Sequence, residues 1–184
     1  MVSFEAQGRV VSEMLDTKEI NTRKYGVFKA EVADLVLTVL FDMCNGMPEE
    51  GSCFVTSNCW LSNMAEDSSK RVGLVVSQFK IIPEEDYVPM SCLRVKVNGR
   101  VYKLDDYSEP KRSGANHVLF MSSKLRVKNE IDKMFNLTVV GIGKSAYIVN
   151  SMEDRGFYNV VGVLRKRTDK HNKFKLYVDE VEKC

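Results

Sequence analysis

The side chains able to do chemistry are unevenly spread along this chain. Cations gather at three places: at Lys70 and Arg71; at Lys96 and Arg100, on either side of Asn98-Gly99; and at Arg165, Lys166, Arg167, Lys170, Lys173 and Lys175, where Asp169 stands as their acidic neighbour. Cations at that local density suit phosphate oxygens. They cannot act through bulk charge, because the net charge is only +2 and any anion must be held locally. Thiols come next. Of the five cysteines, Cys44, Cys53 and Cys59 lie close in sequence, but none stands in the CxxC-type pair that lets two thiolates reach one zinc ion. They read as small buried hydrophobes, and no metal is expected. The segment TVVGIGKS ends like a phosphate-binding loop, yet Thr138 occupies the position where that motif requires glycine. The two histidines, His117 and His171, stand in no catalytic pattern, and Glu84-Glu85-Asp86 are consecutive, so they form a solvated turn. Nothing here assembles a catalytic centre or a cofactor site; the chemistry on offer is that of binding.

The elements that must carry these groups are read from periodicity. The chain has 184 residues, 44% of them hydrophobic, enough for one ordinary domain or two small ones. No stretch approaches the roughly 20 apolar residues needed to cross a bilayer, and the start lacks a secretory layout, so a cytoplasmic location is expected. Residues 1–24 read as an arm. Val32, Leu35, Val36, Val39, Leu40 and Met43 fall on one face of a helix that Asn45-Gly46 and Pro48 end. A short strand at Cys53-Phe54-Val55 leads to a brief helix over 58–66, and a second helix over 69–80 carries Val72, Val75, Val76 and Phe79 at i, i+3, i+4 and i+7. LRVKVNGRVYKL alternates about Asn98-Gly99 and reads as a hairpin. The polar stretch 108–115 reads as a linker. The order then starts again: helices over 117–125, 129–135 and 144–155, followed by two strands, NVVGVLRKRT and KFKLYVDEV.

Helix, short strand, helix, turn, helix, hairpin resembles the winged-helix family. Residues 29–105 resemble it through CFVTSNCWLSNMAEDSSKRVGLVVSQFK and RVKVNGRVYKL, and residues 116–181 through LRVKNEIDKMF, KSAYIVNSMEDRGFY and the final hairpin. The resemblance implies an α+β fold of two tandem winged-helix units, each of three helices plus a β-hairpin wing, in domains 25–107 and 116–184. A pair of such units is similar in architecture to plasmid and phage replication initiators.

That resemblance implies sequence-specific binding of double-stranded DNA, as a transcription regulator or replication initiator, with no enzymatic activity. The recognition helix would present Ser69, Lys70, Arg71, Gly73, Ser77 and Gln78 to the major groove, with Leu74 exposed beside them. The first wing would add Lys96, Asn98 and Arg100. The second unit would offer Lys144, Tyr147 and Asn150 from its helix, and Arg165, Lys166, Arg167, Lys170 and Lys173 from its wing as a grip on phosphates. The arm could pair two copies of the chain into a homodimer. Two other readings stay open. One is a protein-interaction scaffold, which exposed Leu74 and the apolar loop Leu137 to Ile142 would suit. The other is a single-stranded nucleic-acid binder of the OB barrel type, in which GVLRKRT and KFKLYVDEV would be barrel strands.

Overall fold

Alternation with a period of two, not helical periodicity, governs the chain. The computed structural model describes residues 3–63, 72–103, 109–113, 117–128, 134–166 and 174–184. It holds strands β1 (Phe4–Val10), β2 (Asp16–Ile20), β3 (Arg23–Val32), β4 (Leu35–Asp42), β5 (Cys53–Asn63) and β6 (Val72–Ile82), then β7 (Leu93–Lys103), β8 (Lys111–Ser113), β9 (Val118–Lys128), β10 (Met134–Ile142), β11 (Phe157–Lys166) and β12 (Phe174–Lys183). Among the described residues there is one α-helix, α1 (Lys144–Ser151), between β10 and β11. It is too short to cross a membrane.

The strands form two separate sheets, each closed on itself. In the first, the order is β1-β5-β6-β4-β3, and Arg9 and Val10 of β1 pair with Glu31 and Ala30 of β3 to complete the ring. β2 pairs with the opposite end of β3, Asp16 opposite Val27 through Ile20 opposite Arg23. β1 and β2 thus act as one interrupted strand along β3. In the second sheet the order is β10-β12-β11-β7-β9, closed by β9 on β10. β7 and β8 share β9 in the same way, at Gly99 to Lys103 and at Lys111 to Ser113. Each ring contains a parallel pair, β4 with β6 and β10 with β12. The two barrels therefore repeat one topology, and the chain divides between Leu93 and Arg94, whereas the sequence put a linker at 108–115.

Closure gives each barrel strand an inward apolar face. Phe28, Val39, Phe41, Phe54, Cys59, Leu61, Leu74 and Val76 fill the first barrel. Phe41 meets Phe28, Phe54 and Phe79 edge-on, with centroids 5.7, 5.0 and 4.8 Å apart, the geometry aromatic quadrupoles favour. Val95, Met121, Leu125, Leu137, Val139, Leu164 and Leu176 fill the second. There α1 turns Ala146 and Val149 inward, followed by Met152, and packs on β9, β10 and β12.

This architecture overturns the winged-helix reading. Two closed barrels of five strands, each with an accessory strand, are the OB type of fold, not α+β tandem winged helices of three helices and a wing. Residues 30–45 are the end of β3, a tight turn, β4 and a single 3-10 turn at Met43–Asn45, and the helix expected over 69–80 is strand β6 from Val72 onward. Residues 58–63 continue β5, and 118–128 are β9. Asn98-Gly99 lies inside an 11-residue strand, not at a hairpin turn. Gly99 is needed there for a different reason: a Cβ would stand 2.7 Å from the Arg126 carbonyl oxygen across the ladder. A two-residue hairpin turn lies instead at Asn21-Thr22, both with positive φ (48° and 67°), the conformation of a type I′ turn. The expected arm over 1–24 contains β1 and β2.

Candidate functional site

The outward face of the second barrel is built by alternation. On β7, Val97 and Val101 point in while Arg100 and Tyr102 point out. On β9, Leu125 and Val127 point in while Lys124 and Arg126 point out. Register then sets the outward residues side by side. Tyr102 lies opposite Lys124, Lys124 opposite Thr138, Thr138 opposite Lys175 and Lys175 opposite Arg165, a row across five strands. With strands about 4.8 Å apart, the row runs roughly 19 Å. A second row beside it sets Arg100 opposite Arg126 and Arg126 opposite Asn136.

Two aromatic rings border these rows under guanidinium groups. Arg165 sits 5.4 Å from the centroid of Tyr177, and Arg100 sits 4.7 Å from that of Phe157. Phe157 is 43% exposed.

The charge balance of this face is one-sided. β7, β9, β10 and β11 contain no Asp or Glu. The acids of β12 lie toward its far end, where Asp179 and Glu180 hold Arg94 at 3.6 and 2.9 Å. Glu153 holds Lys183 at 2.7 Å. Among the described residues, none of Arg100, Lys124, Arg126, Arg165 and Lys175 has an ion-pair partner. Like charges directly opposite on neighbouring strands repel. Arg100 against Arg126, and Lys175 against Arg165, are two such pairs. An anion laid over them replaces that repulsion with attraction.

Several groups singled out from the sequence lie elsewhere. Ser69, Lys70, Arg71, Arg167, Lys170 and Lys173 fall outside the described residues. Gly73 and Ser77 are buried in the first barrel, where the Ser77 hydroxyl donates to the Asn58 carbonyl at 3.2 Å. Leu74 is inside that barrel and wholly buried. Gln78 is exposed on β6, in a groove of about 560 Å³ lined also by Glu5, Gln7, Ser57 and Lys80. Asn98 donates to Asn159 at 3.0 Å, which ties β7 to β11. Lys144 and Tyr147 are exposed on α1, whereas Asn150 is half-buried and its carbonyl oxygen accepts from Lys103 at 2.9 Å. Lys96 and Lys166 are exposed on β7 and β11. The structure thus sets Arg100 and Arg165 at outward positions of the second barrel, and the side chains beside them along the two rows are Tyr102, Lys124, Arg126, Asn136, Lys175 and Tyr177. Their signal in the sequence is LRVKVNGRVYK and VLFMSSKLRVK: alternation of cations and hydrophobes without an acid.

The remaining candidates are structural. Gly143, at φ 60°, starts α1, so the Gly-Lys-Ser run is a strand-to-helix corner. Cys53 and Cys59 are buried thiols, and burial pushes the Cys59 thiol well above its ordinary range. Among the described residues no group of three or more His, Cys, Asp or Glu side chains could hold a metal ion. Glu84 ion-pairs with Arg9 at 2.7 Å.

No protein-family profile and no curated protein sequence matches the chain. Among solved structures, the fold is similar to that of the wild-type single-stranded DNA binding protein from Thermus aquaticus, with a TM-score of 0.65 and 11% identity over 100% of this chain and 93% of that one. A deletion variant of the same protein gives a TM-score of 0.67, also at 11% identity, over 100% and 94% of the two chains. At that identity the likeness is one of fold. It extends across both barrels and leaves no room for winged helices.

Proposed function

We propose that this chain binds single-stranded DNA, without strong sequence preference, on the outward surface of its second barrel, along the rows that cross β7, β9, β10, β12 and β11. This replaces recognition of a double-stranded site. The observation that carries it is the set of five cations without an ion-pair partner among the described residues, two pairs of them repelling across the ladder, bordered by Tyr102, Tyr177 and Phe157, with the nearby acids confined to the far end of β12. Cations track the phosphates while rings stack on bases, the combination that holds single strands. The position of the face supports the reading. β9 and β10 are the second and third strands of an OB barrel, the face on which such folds take up oligonucleotides. The architecture seen in a single-stranded DNA binding protein from Thermus aquaticus agrees with it. The role is one of binding rather than catalysis. Free thiols at all five cysteines fit a reducing, intracellular compartment.

Duplex DNA is disfavoured because its bases are already stacked and offer no face to a tyrosine. The test is fluorescence anisotropy with a labelled thymidine oligomer and with a duplex of equal length, over a range of salt. The single strand should bind at least about tenfold more tightly, and its affinity should fall steeply as salt rises. Equal or tighter binding of the duplex, or affinity independent of salt, overturns the proposal.

A further inference from the structure

The two barrels repeat one strand order, but the rows that correspond across them do not carry the same residues. We infer that the chain holds a single strand with its second barrel alone, and that the outward rows of the first barrel are closed to DNA. This rests on the proposed function above.

The row on β11, β12, β10 and β9 reads Arg165, Lys175, Thr138 and Lys124. Counted from the hairpin ends Val127–Phe135 and Val32–Leu35, the matching positions on β3, β4, β6 and β5 are Lys29, Thr38, Gly73 and Ser62, and the outward row beside them reads Trp60, Val75, Leu40 and Val27, which stand opposite one another in turn. These four are outward by register, since the barrel interior takes their neighbours Cys59, Leu61, Leu74, Val76, Val39 and Phe28. Yet all four are buried, gathered with Tyr25 in one apolar cluster against which Ile20 packs. Trp60 is only 6% exposed. A phosphate finds no cation in that row, and a base finds no free ring face. The adjoining outward positions do not compensate. Lys29 donates to the Thr38 hydroxyl at 2.7 Å, and the next pair sets acidic Glu31 opposite Val36. Where the second barrel stacks cation on cation, the first places hydrophobe on hydrophobe.

Trp60 is the chain's one tryptophan, which makes the division measurable in the intact protein. The full chain is titrated with an oligomer of about ten thymidines, following anisotropy, stoichiometry and tryptophan emission. One oligomer should bind per chain, and Trp60 emission should stay within about a tenth of its starting value, because no base reaches the ring. In a Tyr177→Trp variant the added emission should be quenched. Lys124→Ala with Arg126→Ala should weaken binding about tenfold or more, while Lys24→Ala with Lys29→Ala on β3, the counterpart strand, should change it by less than about twofold. All of these positions but Tyr177 and Lys29 are exposed, and circular dichroism checks that each variant is folded. Two oligomers per chain, quenching of Trp60, or equal losses from the two double variants overturns the confinement while leaving single-strand binding intact. Failure of the unaltered chain to bind the oligomer at low salt overturns the underlying reading instead.

Discussion

Tyr102 stands at the end of the five-strand row, opposite Lys124, and contributes what charge cannot: an aromatic plane. Stacking of a base on such a ring is worth about 1–3 kcal/mol by alanine substitution. Tyr102→Ala should therefore weaken a thymidine oligomer by about tenfold while leaving the slope of log affinity against log salt unchanged. Lys124→Ala should instead flatten that slope by about 0.7. Anisotropy titrations at several salt concentrations separate the two effects, and identical changes in slope would show that Tyr102 acts through its lysine neighbour rather than as a stacking surface. Cys59 gives a second residue-level expectation. Buried opposite Val76, with its thiol donating to the Phe4 carbonyl at 3.2 Å, it has a folded pKa raised above the 9.0 of a free thiol by burial. Below that value both states keep the proton and stability does not depend on it. Above it, the unfolded chain loses the proton while the folded chain retains it, so stability falls as pH rises. Urea midpoints measured between pH 7 and 10 should decline at the alkaline end, and Cys59→Ala, though less stable at pH 7, should remove part of that decline.

Elements are held to their shape by a few close approaches, and Gly141 is one of them in the second barrel. A Cβ there would lie 2.2 Å from the Ser145 carbonyl oxygen and 2.7 Å from the Ala146 Cα, where the first turn of α1 leans on β10. Backbone cannot yield as a side-chain tip can, so Gly141→Ala should destabilise the fold by about 3 kcal/mol, read as a lower urea midpoint. Gly46→Ala, at φ 86° and ψ −177° with no atom within 4 Å of its Cβ, should cost about 2 kcal/mol through backbone strain alone. The same crowding explains why so little of the fold was legible. Up to Phe79 the apolar residues of β6 are Val72, Leu74, Val75, Val76 and Phe79 itself; Ile81 and Ile82 stand at its end. Inward alternation requires Val72, Leu74 and Val76, but Val75 is also buried because it belongs to the outward apolar cluster with Trp60 and Leu40. Removing Leu74 from that set leaves the i, i+3, i+4, i+7 spacing of a helix. β4 misleads likewise, since Leu40 is buried outside the barrel and Leu37, Val39 and Phe41 inside it. Where the outer face is solvated, as on β7, strict alternation survives and a strand is legible. Even there Asn98-Gly99 suggested a turn, because nothing local reveals that Asn98 is held by Asn159 of β11. The candidate site was legible in part for the same reason. Arg100 and Arg165 stand out as charges, but their meeting with Arg126 and Lys175 depends on register set by strands distant in sequence.

Across the whole molecule, charge is sorted rather than abundant. The 27 basic and 25 acidic residues nearly cancel, so long-range attraction toward a polyanion is weak. The face in the second barrel is strong because its neighbouring acids are engaged: Asp179 and Glu180 with Arg94, Glu153 with Lys183. Salt dependence reports the phosphates a protein neutralises, not its net charge. For a single strand each contact contributes about 0.7 to the slope. If Arg100, Lys124, Arg126, Arg165 and Lys175 each meet one phosphate, the slope should be about −3.5, and a fourfold increase in salt should weaken binding about a hundredfold. If the formal charge of +2 were the controlling quantity, the slope would be about −1.4 and the same change in salt would weaken binding only about sevenfold. Titrations between 50 and 200 mM salt, roughly the range over which counterion release is read, distinguish these outcomes. Replacing Arg126 and Lys175 together by alanine should bring the slope to about −2.1, since two contacts of about 0.7 each are lost. A shallow slope in the unaltered chain would mean that the sorted cations do not meet the strand together, however well they align across the barrel.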